Sequence, residues 1–225
     1  MVNEFDALVR NHTWDLVPAP PDCNILSNRW VFAEKTNPDG SLEREKARLV
    51  ARGFEQIPGH DFGDTFSPIL KPATLRLLLG IVVSQAWPLH QVDISNAFLH
   101  DTLQEEVYMR QPVGFIDPEH PDSVCRLRKS IYGLRQAPRA WFHCLSQALR
   151  DFRFVASKTD PSLFIYRADS VVLYMLVYVD DLVIIGTDSK VIQELMVHLR
   201  SRLLSGILAD CLIFLAGKFT ILHQA

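Results

Sequence analysis

The sequence predicts an α+β fold, and three observations predict it. Strand and helix signals are mixed along the chain without a regular βαβ alternation. The first part, to about Pro72, is rich in proline and turn residues and carries a hairpin signal. Later segments place apolar residues at helical spacing. The length of 225 residues suits one large domain or two small lobes, with ample material for a core.

Arg29 to Thr36 reads as a strand and Asn37-Pro38-Asp39-Gly40 as a turn, since proline presets one dihedral and glycine tolerates a positive one. Leu42 to Phe54 reads as the returning strand. Alternation puts Lys46, Arg48, Val50 and Arg52 on one face and Ala47, Leu49, Ala51 and Gly53 on the other, so one face is cationic. Pro72 precedes the apolar run Ala73 to Ala86, expected as a buried helix that Pro88 ends. Leu89 to Ile94 is a short strand. Ala137 to Phe152 is a helix opened by Pro138, with Trp141, Leu145, Ala148, Leu149 and Phe152 on its apolar face. Val171 to Val179 and Leu182 to Ile185 are strands separated by Asp180 and Asp181. Ser189 is the expected cap of a helix whose Ile192, Leu195, Met196 and Leu199 face the core.

Composition narrows the function classes. With 48% hydrophobic and 22% charged residues, the chain is too apolar to be disordered. Cys23, Cys125, Cys144 and Cys211 form no CxxC pair, so free thiols in a reducing compartment are expected rather than a zinc site or disulfides. The N-terminus carries acids and no apolar run, unlike a signal peptide. The most apolar stretch, Val171 to Gly186, is interrupted by two aspartates, so no membrane association is expected. No address signal is present, which leaves the setting open among intracellular compartments, cytoplasm or nucleus. A net charge of −3 does not by itself predict nucleic-acid binding. Arg126, Arg128, Lys129, Arg135 and Arg139 nevertheless form an acid-free run, read first as a solvated helix face and second as a local basic channel.

The chemistry lies in carboxylates. Tyr178-Val179-Asp180-Asp181 sits between two apolar strands, where paired acids are costly unless something neutralises them. The plainer alternative is an acidic turn in water. Asp93, flanked by Val92 and Ile94, has no lysine or arginine near it in sequence. Its plainer role is capping the next turn. A lone acid on one strand and an acid pair on a distant hairpin also match what two-metal phosphoryl transfer requires. One ion lowers the pKa of the attacking hydroxyl and the other holds the triphosphate.

Several motifs then fall in a recognisable order. They are Asn11-His12-Thr13-Trp14 with Leu16-Val17-Pro18, Lys46 through Phe54, and Phe66-Ser67-Pro68. Val92-Asp93 through Leu99, Tyr132 through Trp141, and Tyr178-Val179-Asp180-Asp181 follow. Together they resemble the reverse transcriptase domain of Ty1/copia-type retrotransposon Pol polyproteins, over about residues 3 to 202. The resemblance implies a right-hand polymerase fold with fingers and a ferredoxin-like palm, and template-directed DNA synthesis on a primed RNA or DNA template with dNTP. It implies two Mg2+ ions, with Mn2+ as substitute, on Asp93, Asp180, Asp181 and the Ile94 carbonyl. It implies a triphosphate grip from Lys46 and Arg48, and a bulky Phe98 under the incoming sugar that selects deoxynucleotides. Gly133, Pro138 and Tyr178 are the implied template and primer contacts, and the rest of the Pol polyprotein is the implied partner. Many reverse transcriptases carry a glutamine just before that glycine; here Tyr132 stands there.

Residues 203–225 depart from the family's pattern. Allowed codons for Leu203 to Cys211, read two nucleotides along, can spell Ala-Leu-Gly-Asp-Leu-Gly-Arg-Leu-Ser, and continued through Ala216 they can spell Tyr-Phe-Leu-Gly. That restores the expected motif, so a frameshifted tail is expected. So is a chain truncated before the thumb, without RNase H, integrase or protease regions, and with weak or no polymerase activity alone. The alternative reading is a catalytically inactive remnant with at most weak nucleic-acid binding. A two-metal nucleotide cyclase would explain the paired acids, but neither the cationic hairpin nor the Tyr132–Trp141 segment.

Overall fold

The computed structural model describes residues 1–203 other than Pro38, Ser95 and Asp101, together with 213–214. Of the tail 203–225 expected to diverge, Leu203 and 213–214 are described and the rest lies outside the described residues. In chain order the elements are α1 (Val2–Arg10), β1 (Trp14–Val17), β2 (Ile25–Leu26), β3 (Asn28–Thr36), β4 (Leu42–Ala51), α2 (Pro72–Gln85) and β5 (Leu89–Asp93). They continue with β6 (Tyr108–Arg110), β7 (Val124–Leu127), α3 (Ala137–Asp151), β8 (Val155–Ala156), β9 (Leu163–Ala168), β10 (Val171–Tyr178), β11 (Asp181–Gly186), α4 (Ser189–Leu203) and β12 (Ile213–Phe214). The mixed α and β content is as expected. The chain forms two compact units. The first holds Met1–Phe66 and Phe98–Trp141, and the second Ser67–Ala97 and Phe142–Ala225.

In the first unit a sheet of order β1-β7-β6-β2 buries Leu26, Met109 and Cys125 completely. The β3–β4 hairpin stands as a separate two-stranded ladder. Its turn is as expected: Gly40 takes φ +85° and donates its N–H to the Asn37 carbonyl at 2.9 Å. Helix α1 is anchored by Phe5, whose ring stacks on Phe115 at 4.2 Å and leans on Trp14 at 6.0 Å.

The second unit is a six-stranded sheet of order β12-β5-β11-β10-β9-β8 with helices on both faces. Leu78 of α2 packs on Leu176 and Ile185, with Leu89, Leu163, Tyr174 and Val183 around them. On the opposite face, Phe142 of α3 meets Phe164 of β9 at 5.9 Å. Helix α4 locks onto α3 through Arg202 and Asp151 at 2.7 Å and His198 and the Ala148 carbonyl at 2.9 Å. Burying both faces of β10 and β11 is why their sequences are nearly continuous apolar runs.

Four expectations need correction. Strand β4 ends at Ala51, not Phe54, and Gly53–Glu55 turns as a 3-10 helix. The chain must bend there, because Gly53 backs directly onto the Gly133 carbonyl. The run Ala73 to Ala86 does form a helix, but only Leu78 of it is buried; Leu77 and Val83 are 65% and 84% exposed. Lying on an outer sheet face, it can hide one side only. Helix α4 is capped not by Ser189 but by Asp188, whose carboxylate accepts the Lys190 N–H at 2.7 Å. The basic run from Arg126 to Arg139 is no single helix face: Arg126 belongs to β7, Arg128, Lys129 and Arg135 to loops, and Arg139 to α3. The three described cysteines, Cys23, Cys125 and Cys144, are free thiols as expected. Burial pushes the Cys125 thiol up to about 12, so it is inert. No helix among the described residues is long and apolar enough to cross a membrane.

Candidate active site

The acids meet because two strands pair in register. Strand β10 turns into β11 through Val179 and Asp180, with Tyr178 opposite Asp181. Strand β11 then runs beside β5 with Asp181 opposite Asp93 and Val183 opposite Gln91. Directly opposite residues share a face with Cβ atoms about 5 Å apart. The Ile94 N–H donates to the Asp180 carbonyl at 2.9 Å, tying the turn to the end of β5. Alternation sends Val92 and Ile94 into the core and leaves Asp93 exposed with Gln91. The acids therefore end the same face that α2 covers farther along, at Leu89 and Ile185.

The turn itself is strained. Val179 takes φ +53°, a left-handed conformation that a β-branched residue rarely adopts. Such strain persists where surrounding structure enforces it, and it clusters at functional sites. Here the Ile94–Asp180 bond and the β5–β11 ladder hold the turn.

Electrostatics mark Asp181. Burial, above all, pushes its carboxyl above the usual range, and the charges of Asp180 and Asp93 push it further. The Gln91 amide, 3.4 Å from Asp181 Oδ1, pulls the other way. This crowding of like charge suits divalent cations, so the donor set fits the two ions implied above. Among the described residues no three His, Cys, Asp or Glu side chains close into a ready cage.

The other expected site residues, Tyr178 excepted, lie in the first unit. Lys46 and Arg48 share a face of β4, and the Arg48 guanidinium lies over the Tyr132 ring, 4.5 Å from its centroid. Glu4 of α1 is close enough to feel both cations. Burial raises its pKa on balance, while Arg48 and then Lys46 oppose that rise. Phe98 is buried, its ring meeting Tyr132 edge-on at 4.7 Å. Gly133 takes φ +92°, and a Cβ there would come within 2.0 Å of the Ala51 carbonyl, so this glycine is required by packing. Pro138 sits in the first turn of α3, and Tyr178, 51% exposed, stands beside the acids in the second unit.

Four contributors went unnoticed in the sequence. Gln91 was detectable, since two residues before Asp93 is the same strand face. Gln56, Asp61 and Gln136 were not. Gln56 Nε2 donates to Gln136 Oε1 at 3.0 Å, Gln136 Nε2 to the Asp61 carbonyl at 3.0 Å, and Arg135 N–H to Gln56 Oε1 at 2.8 Å. This buried network explains much of the Tyr132–Trp141 motif as a lock on the base of the hairpin.

A strained acidic hairpin thus lies in register with a third acid. Similarity to known proteins gives the class, a reverse transcriptase domain. A family model described as "Reverse transcriptase (RNA-dependent DNA polymerase)" matches residues 11–222, through the segment read above as divergent. The chain is 51% identical over 203 residues to the "Retrovirus-related Pol polyprotein from transposon RE2" of Arabidopsis thaliana, covering 90% of this chain and 14% of that protein. It is 49% identical to the polyprotein from transposon RE1 of the same plant, with the same coverage. To that from transposon TNT 1-94 of Nicotiana tabacum it is 39% identical, over 87% of this chain and 15% of that protein. The chain therefore belongs to the reverse transcriptase family of copia-type retrotransposon Pol polyproteins and is by family an RNA-directed DNA polymerase domain. It spans about a seventh of the length of these curated relatives.

Proposed function

We propose that the chain is the catalytic domain of template-directed DNA synthesis, weak or silent when isolated, with the second unit as palm and the first as fingers. The observation that carries this reading is the register pairing of Asp93 with Asp181 beside the Asp180 turn. Two noncontiguous stretches in each unit fit a palm entered from the fingers, left and re-entered. The six-stranded sheet with α3 and α4 on one face fits a ferredoxin-like palm. Residues 3–202 make up these two subdomains, and 203–225 are a tail whose reading frame the encoding nucleotide sequence tests.

Asp93, Asp180, Asp181 and the Ile94 carbonyl would hold two Mg2+ ions, or Mn2+, which when bound would supply acidification of the primer 3'-hydroxyl and charge to offset the triphosphate. Lys46 and Arg48 add positive charge toward the β- and γ-phosphates. Phe98 blocks a 2'-hydroxyl. Tyr178, Gly133 and Pro138 line the template and primer, which are read by shape, backbone and stacking. The 3'-hydroxyl attacks the α-phosphate and pyrophosphate leaves.

Primer extension on a homopolymer template is the test. Nucleotide addition that Asp93→Asn or Asp180→Asn lowers about a thousandfold supports the reading. Addition indifferent to those variants contradicts it, and no addition by the parent chain would favour the inactive remnant.

A further inference from the structure

We propose that Tyr132 is a positioning residue that couples the grip on the triphosphate to selection of the sugar. The inference rests on the polymerase reading, in which Arg48 and Phe98 do those two jobs. Both touch one ring. Arg48 lies over the Tyr132 face at 4.5 Å, and Phe98 meets it at 4.7 Å with the ring planes 74° apart. The first contact is a cation–π pair and the second an edge-to-face pair, so the electron-rich face and the ring together serve both partners.

The support under the ring is rigid. The Tyr132 carbonyl accepts the Ala51 N–H at 2.8 Å. Gly133 follows in a left-handed conformation pressed against the Ala51 carbonyl. Leu49 and Ala51, flanking this joint on β4, are 1% and 3% exposed. The loop bearing Tyr132 is thus bolted to the strand bearing Arg48, and the ring carries that fixed geometry across to Phe98. Glu4, near Arg48 and Lys46, adds a carboxylate to the same cationic face. An aromatic face orients a guanidinium plane lying over it through the cation–π contact. That is a physical reason for a ring at this position, where many reverse transcriptases carry an amide.

The experiment uses the full 225-residue chain, a template–primer, Mg2+, and dATP or ATP as the incoming nucleotide. Tyr132→Phe keeps the ring and should stay within about twofold of the parent in KM and in dATP-over-ATP preference. Tyr132→Leu should raise the dATP KM by about tenfold, leave kcat within a few-fold, and erode the preference. Arg48→Leu should erode it as well, because the coupling passes through the ring. Parental preference in Tyr132→Leu or Arg48→Leu would overturn the inference. So would equal damage from Phe and Leu at position 132.

A second arm needs no catalysis. Double-mutant cycles in urea unfolding should show Tyr132 coupled to Arg48 and to Phe98, each by about fivefold in the unfolding constant. A parent chain that added no nucleotide would favour the inactive remnant and leave the kinetic arm to the second one. The cycles would still decide whether one ring holds the pair, and coupling absent from either cycle would overturn the claim.

Discussion

Two sets of aspartates in this molecule meet opposite electrostatic fates. Asp61 and Asp160 are almost fully buried, at 2% and 3% exposure, yet both carboxyls lie below the usual range. Burial is the largest single effect on each and opposes the charge. Hydrogen bonds together outweigh it: Ile57 N–H, His60 and Asn24 for Asp61, and Thr74 and Ser162 for Asp160. Asp181 is less buried and pushed upward, with two acids as neighbours and a single amide in its favour. The fold surrounds Asp61 and Asp160 with donors and sets Asp181 among like charges. Arg126 likewise pairs with Glu106 at 3.1 Å and Arg139 with Asp64 at 2.6 Å.

The pins break hardest where backbone meets backbone. Gly133→Ala must accept a left-handed φ and a Cβ at 2.0 Å from a carbonyl oxygen, so it should cost about 3 kcal/mol or more. Urea unfolding reads this. Asp61→Ala comes next, at about 1–2 kcal/mol, because it removes the buried carboxylate that accepts from the part-buried Ile57 N–H and Asn24 amide. Asp188→Ala is smallest, about 1 kcal/mol, being the loss of one helix cap.

Acid sharpens the same contrast. For Asp61 and Asp160 the folded pKa lies below the unfolded one. Their contribution is therefore complete above about pH 4 and is lost as pH falls through the folded values. For Asp181 the folded pKa is the higher. The folded state then holds more protons in the window just above the ordinary aspartate value, and its contribution falls as pH rises through that window. Asp61→Asn should flatten the acid limb of a stability–pH curve, and Asp181→Asn should raise its neutral plateau.

Much of this was legible in sequence, for identifiable reasons. The hairpin turn, the apolar faces of α3 and α4, and the strands around Asp180 are local patterns, and each formed within a few residues of its expected limits. The ordered motifs carried the family. What stayed hidden was set by long-range contact. Strand β4 ends where it does because Gly53 meets Gly133, eighty residues later in the chain. Helix α2 is only half covered because its apolar residues surround it, and periodicity cannot show which side finds a sheet. Asp93 looked like an acid in an apolar strand, but alternation exposes it. Its pairing with Asp181 required the β5–β11 register, which no local spacing encodes.

The central proposal is that Asp93, Asp180 and Asp181, brought together by the β5–β11 register, take divalent cations. Thermal unfolding of the chain across a Mg2+ titration, beside Asp93→Asn and Asp181→Asn, tests it most directly. The account predicts that both variants melt higher than the parent without metal, and that Mg2+ raises the parent's midpoint while leaving theirs nearly unmoved. Equal metal response in all three, or variants that melt lower than the parent in its absence, would contradict it.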